Sequence, residues 1–231
     1  MSKLELLLLH ALPLDGTMWR EQMDLLPGAS HAPDLYPLGE TVEEWSRAAL
    51  NLVKGHRVIV VGCSVGGSCA IEVALAAPDR VAALVLIGTK TAHAPDPDLR
   101  AAAQQALRER GVDAAWRSYW APLFSRSTAG RIVDDARRIA LAQPVEAIAR
   151  GITAFHSRPS RYDFLSSFAR PVTIITGADD VAPGQKISAA QADAAPLGFL
   201  HVIPHCGHYV PLERPVELNA ILRSVIVAQA Q

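Results

Sequence analysis

The chain opens on Leu4-Glu5-Leu6-Leu7-Leu8-Leu9, and short apolar runs recur at Val58 to Val61, Val81 to Ile87, Val172 to Thr176 and Phe199 to Ile203. Each run is bounded by Gly, Pro or charge, the pattern of strands buried on both faces of a sheet. Between them lie helix-like stretches. Thr41 to Leu52 opens with the capping box Thr41-Val42-Glu43-Glu44, Gly67 to Ala77 stops before Pro78, and Val216 to Val227 is entered at Pro215. Strands that alternate with helices predict an α/β chain, a mostly parallel sheet with helices on both faces.

The alternation stops after Ile87 and resumes at Pro171. Residues 89–170 are strand-poor and rich in Ala and Arg, with helical candidates at Leu99 to Arg110, Asp113 to Trp120, Arg131 to Gln143 and Val145 to His156. The expected organisation is a core of residues 1–88 and 171–231 with a helical cap, 89–170, inserted into it. At 231 residues this suits one domain with an inserted subdomain. The insertion carries 13 basic and 8 acidic residues against 9 and 15 elsewhere. Two readings of that excess stay open, Arg-rich solvated helix faces or a mildly cationic lid over an anionic substrate.

Over the whole chain the net charge is -1, so no basic excess points to a nucleic-acid partner. The first apolar run is broken by Glu5, ends at His10 and lacks a small-residue cleavage site, so it reads as a strand and not as a signal peptide. No later stretch reaches the roughly 18 apolar residues of a membrane span, and a soluble protein is expected. Cys63, Cys69 and Cys206 are odd in number and lack metal-ligand spacing. They are expected to be reduced, buried thiols in a cytoplasmic protein, with neither a disulfide framework nor a metal site.

The chemistry concentrates at Gly62-Cys63-Ser64-Val65-Gly66, which fits G-x-S-x-G and sits between the strand Arg57 to Val61 and a helix beginning near Gly67. Ser64 then occupies a strained strand-to-helix turn, and Gly62 and Gly66 lack the Cβ atoms that would collide there. The helix that follows aims its positive end at the serine, and the N–H of Val65 is placed to donate to a developing oxyanion.

A serine nucleophile needs a base, and the base needs an orienting group. Of eight histidines, His208 stands out because it follows the strand Phe199 to Ile203 and precedes the last helix, at a strand's carboxyl end where sites collect in open α/β sheets. His205 is the runner-up, and His205-x-x-His208 also has the spacing of a metal pair, though no additional ligand cluster supports it. For the acid, the strand Val172 to Thr176 runs into Gly177-Ala178-Asp179-Asp180. Adjacent carboxylates repel, so one should face solvent and the other the histidine, and sequence physics leaves the choice open.

Four segments together resemble the α/β-hydrolase fold enzymes of the esterase and lactonase branch: His10 to Trp19, Gly62 to Gly67, Gly177 to Asp180, and Gly207 to Pro215. Their order, Ser then Asp then His, is that of the family. The resemblance implies Ser64 as nucleophile, Asp180 rather than Asp179 as acid and His208 rather than His205 as base. It also implies that Leu12, biased toward an extended backbone by Pro13, offers the second oxyanion N–H beside Val65, with His10 structural. The family usually has glycine where this chain has Ala11, a strained position if it demands a positive φ. The leading hairpin common in relatives is expected to be absent, with a sheet one or two strands smaller.

The implied activity is hydrolysis of small-molecule carboxylic esters or lactones through an acyl-enzyme, with no metal or cofactor. Dehalogenase relatives carry aspartate and dienelactone hydrolases cysteine at the nucleophile, so serine favours esters and lactones, and the Pro13-Leu14-Asp15-Gly16-Thr17-Met18-Trp19 run resembles enol-lactonases. An amidase, a peptidase, a carbon–carbon bond hydrolase on the same triad or a non-catalytic binding protein are the alternatives. Within the insertion, Trp116, Trp120 and Phe124, with Tyr119 and Phe155, are the candidate wall of an acyl pocket; Trp116 and Trp120 share a helix face at i, i+4.

Overall fold

The computed structural model describes residues 4–230, so the outermost positions of the expected core, 1–3 and 231, lie outside the described residues. Strands β1 (Leu4–Leu9), β2 (Ser30–His31), β3 (Arg57–Cys63), β4 (Val81–Ile87), β5 (Val172–Gly177) and β6 (Gly198–Ile203) form one sheet in the order β2-β1-β3-β4-β5-β6. Every pairing is parallel. The helices are α1 (Val42–Leu50), α2 (Val65–Ala76), α3 (Pro97–Ala115), α4 (Gly130–Ala142), α5 (Val145–Ser157), α6 (Phe164–Ser167), α7 (Gln185–Ala194), α8 (Val210–Glu213) and α9 (Pro215–Ala230).

Side chains alternate across a strand, and the two faces of this sheet build two apolar clusters. Leu6, Leu8, Ile59, Val61, Val85 and Ile87 pack on one side with Trp19, Leu218 and Leu222. Leu7, Leu9, Val58, Val60, Leu84 and Leu86 pack on the other with Trp45, Ile71 and Val73. Burial on both sides is why these strands read as unbroken apolar runs. The expectation does not hold for β6. It pairs only with β5, and Phe199, Leu200, His201 and Val202 are exposed. An edge strand with an uncovered face has the same sequence signature as a central one. The two-residue β2 at the opposite edge is too short and polar to show as a run.

Helix starts follow local chemistry. The Thr41 side chain accepts the Glu44 N–H at 3.2 Å, while the Glu44 carboxylate turns to the N–H of Glu40 at 2.6 Å, one residue before the position a full capping box would serve. Helix α2 begins at Val65, directly after the serine and two residues earlier than its pattern indicates. Between β4 and β5 the chain is helical throughout its ordered elements. Gly111, at φ 75°, breaks α3, and Trp116–Trp120 forms a single π-helical turn after it. Helix α5 comes down on the core at the turn Tyr36–Leu38, where Arg150 Nε donates to the Tyr36 carbonyl at 3.3 Å. The insertion thereby lies over the carboxyl end of the sheet.

Candidate active site

Strands β1 and β3 are neighbours, yet the chain goes from β1 to β2 on one side and from β3 to β4 on the other. That reversal opens a crevice outside their carboxyl ends, the usual ligand site of an open parallel sheet. Leu9 pairs with Gly62, so the loop holding Leu12 and the turn holding Ser64 leave the sheet side by side.

Ser64 has φ 56° and ψ -118°, and with His205 it is one of two non-glycine residues at positive φ among the described residues. Such a backbone costs on the order of 1–3 kcal/mol and persists only where its surroundings dictate it. Here they do: the Ser64 N–H donates to the Ile87 carbonyl at 2.8 Å, and the Ser64 carbonyl accepts from Gly67 N–H at 3.0 Å and from Thr89 Oγ1 at 3.2 Å. A Cβ on Gly62 would collide with the Gly66 backbone, and one on Gly66 with the Leu9 and His10 carbonyls. The two glycines let the first turn of α2 press against the end of β1.

His208 is buried, and its Nδ1 lies 3.1 and 3.2 Å from the two carboxylate oxygens of Asp180. Asp180 also accepts the Ala182 N–H at 2.8 Å. The neighbouring acid is turned elsewhere, for Asp179 accepts from Ser125 Oγ at 2.5 Å. His205 is exposed and reaches the site through no side-chain bond. The structure therefore joins His208 to Asp180 and to neither runner-up. A carboxylate accepting from Nδ1–H leaves Nε2 as the basic nitrogen of the neutral ring. Ser64 and His208 line one cavity, and no hydrogen bond joins them in the free protein. Contacts of this kind tighten when substrate is bound.

Leu12 lines the same cavity, and its N–H, like that of Val65 at the start of α2, donates to no group among the described residues. The Leu12 carbonyl is anchored by Tyr209 Oη at 2.9 Å. Ala11 is fully buried, is not at positive φ, and donates its N–H to Met18 Sδ at 3.3 Å. The strain that a left-handed alanine would carry does not arise. His10 is also fully buried, with Nε2 accepting the Leu35 N–H at 2.8 Å. That bond occupies the lone pair and keeps the ring in the loop's framework.

The cavity is about 350 Å³, within the range of small-ligand sites. Of the five aromatic residues read as its wall, Tyr119, Trp120 and Phe155 line it. Trp116 and Phe124 do not. Their ring centres are 5.9 Å apart, and Phe124 lies tilted against Tyr209 at 4.7 Å, packed between the insertion and the core. Helical spacing put Trp116 and Trp120 on one face without showing how far each reaches past the lid's own packing.

One buried group escaped the sequence. The Glu213 carboxylate accepts the N–H groups of Gly207 (2.9 Å), Tyr209 (3.0 Å) and Ser125 (3.0 Å) and the Thr128 hydroxyl (2.5 Å). It ties the histidine loop to the foot of the insertion, and the His208 N–H donates to the Leu123 carbonyl at 2.9 Å across the same seam. Its only sequence signal is an acid five residues after the histidine in an otherwise apolar turn. Burial pushes the thiols of Cys63, Cys69 and Cys206 well up, and all three are unpaired. Among the described residues, no group of three or more His, Cys, Asp and Glu side chains is arranged to hold a metal ion, and no helix is long and apolar enough to cross a membrane.

Comparison with known proteins agrees with this architecture. A family model described as the alpha/beta hydrolase family matches residues 6–221. The pimeloyl-acyl-carrier-protein methyl ester esterase of Aromatoleum aromaticum is 26% identical over 98% of this chain and 99% of its own. A 2-hydroxy-6-oxononadienedioate/2-hydroxy-6-oxononatrienedioate hydrolase of Paraburkholderia xenovorans is 28% identical over 76% of this chain and 64% of its own. A thermophilic esterase from Thermogutta terrifontis, solved with malate bound, superposes with a TM-score of 0.90 at 25% identity, over 100% of this chain and 92% of that one.

Proposed function

This chain belongs to the alpha/beta hydrolase family, and from that premise we propose that it is a serine hydrolase of small-molecule carboxylic esters or lactones, with Ser64, His208 and Asp180 as its triad. The observation that carries the reading is the buried His208–Asp180 contact at 3.1 Å on the wall of the cavity that also holds the strained Ser64.

His208 Nε2 takes the Ser64 proton as Oγ attacks the substrate carbonyl, and Asp180 holds the ring and stabilises the imidazolium. The N–H groups of Leu12 and Val65 receive the oxyanion. His208 returns the proton to the leaving alcohol, or to the ring oxygen of a lactone, and the acyl group stays on Ser64. Water, deprotonated by the same histidine, then releases the acid. Every proton is handled by a group of this chain, and no step calls for a cofactor. The three unpaired thiols support a reducing, cytoplasmic setting.

The Aromatoleum relative, matched end to end, supports the ester reading. The Paraburkholderia relative favours a second, cleavage of a carbon–carbon bond next to a carbonyl on the same triad. Turnover of a p-nitrophenyl ester series beside a small lactone panel tests the first. Ester or lactone cleavage that disappears in Ser64→Ala is the expected result; wild-type protein inert on both panels but active on a vinylogous diketone would move the assignment to the second.

A further inference from the structure

Two cationic side chains, Lys90 and Arg158, stand on the wall of the Ser64 cavity, and among the described residues no Asp or Glu lines it. Arg158 is the anomaly. It follows the end of α5 and is only 5% exposed. Among the described residues no carboxylate pairs with it. Its nearest partners are the Phe155 carbonyl, which accepts from Nη1, and the Phe155 ring, whose centre is 4.0 Å from the guanidinium carbon. Burial without a counter-charge pushes its pKa down to about 10.

The acids beside Arg158 are engaged elsewhere. Arg161 holds Glu72 through two bonds of 2.6 and 2.9 Å, and Asp96, close enough to act on the neighbouring His156, caps α3 by accepting the Leu99 N–H at 2.9 Å. A guanidinium carries five N–H donors in a planar fork shaped for a carboxylate. One carbonyl at the end of a helix accounts for a single donor; the other guanidinium nitrogens are not among the fully buried atoms left without a partner, and on the cavity wall they remain open to a ligand.

The location fits a ligand. Ser68, Lys90 and Arg158 line both the main cavity and a small recess beside it. Ser68 lies in the first turn of α2, four residues after Ser64, which stands just before the helix, and so about 6 Å further along at 1.5 Å per residue. The cationic end of the cavity is thus roughly one helical turn from the nucleophile.

We propose that the substrate carries a second, free carboxylate, which Arg158 and Lys90 hold about one turn of α2 from Ser64 while its ester or lactone bond is cleaved. The class is a half-ester of a short dicarboxylic acid, or a lactone bearing a carboxylate. The proposal rests on the serine-hydrolase reading above and narrows it. It takes the second of the two readings of the basic excess in the insertion, a cationic lid over an anionic substrate, for Lys90 and Arg158.

The test compares monomethyl esters of dicarboxylic acids, succinate to suberate, with the same esters in which the free acid is replaced by the uncharged amide. The expected kcat/KM ratio of acid to amide in the wild type is about 10 to 100 at the best length, as for a charge-assisted bidentate contact. It falls toward one in Arg158→Gln and less far in Lys90→Met, whose site is exposed. A wild-type ratio near one overturns the proposal. So does an unchanged ratio in a folded Arg158→Gln that slows both substrates alike, which would make Arg158 a helix cap. If that variant does not fold, the wild-type and Lys90→Met ratios decide. If no ester is cleaved at all, the serine-hydrolase reading fails separately, and calorimetry of glutarate with Ser64→Ala still tests the anion site. Binding weakened tenfold by adding Arg158→Gln supports it, and no binding overturns it.

Discussion

The loops at the carboxyl ends of β1, β3, β5 and β6 and the helices of residues 89–170 meet at one cavity, yet they are held in different ways. Each chemical group of the first region is fixed by short bonds from strand ends and the loops that follow them: Ser64 by Ile87 and Thr89, His208 by Asp180, the Leu12 loop by Tyr209. The lid contributes wall side chains from helix flanks, and two of them, Leu99 and Tyr119, remain half exposed. In the proposed function the first region fixes the reaction and the second selects what reacts. A family can keep one and vary the other, which is why relatives acting on different bonds share this sheet.

The comparison is sharpest where two acids stand next to each other. Asp180→Asn is expected to lower kcat about 10³- to 10⁴-fold by favouring the wrong histidine tautomer, as in other triads. Asp179→Asn, facing Ser125, should stay within a few-fold. Equal losses in steady-state turnover would break the distinction between the two carboxylates.

At the seam between the regions, Glu213→Gln should reduce unfolding free energy by about 3 kcal/mol, because an amide cannot accept from four donors at once. Chemical denaturation reads this, and a loss under about 0.5 kcal/mol, the size of an ordinary surface change, would remove Glu213 as the clasp. On the lid side, Trp120→Ala should change the ratio of kcat/KM between long and short acyl esters about tenfold, with Ser64 still labelled by active-site reagents. A uniform fall over all chain lengths would make Trp120 part of the fold and not of selection.

The smallest effect lies in the serine turn. Ser64→Gly and Ser64→Ala are both expected to be inactive, but glycine tolerates φ 56° and alanine does not. The glycine variant should be more stable by about 1 kcal/mol in the same denaturation assay. Equal stabilities would mean that the turn is unstrained.

What was legible in the sequence follows from the same division. Buried central strands announce themselves because both faces are apolar, and the nucleophile turn because close backbone approach needs Gly62 and Gly66. Edge position is invisible in a run such as Phe199 to Ile203, since composition does not report neighbours. The choice of Asp180 over Asp179 came from family resemblance and not from physics, because two adjacent carboxylates are equivalent until the loop's direction is known. The lid was harder. Trp116 and Trp120 have the same character, and only the path of the helix decides which one lines the cavity. Glu213 reads as a surface acid until its four donors converge, and Arg158 as one solvated arginine among many until its missing partner shows.

The central claim is that Ser64 is an activated nucleophile, and labelling with a fluorophosphonate tests it most directly. Intact-mass and peptide analysis should find one adduct per chain, on Ser64, absent in Ser64→Ala and formed far more slowly in Asp180→Asn. Folded wild-type protein that resists the reagent, or an adduct that persists in Ser64→Ala, would contradict the account.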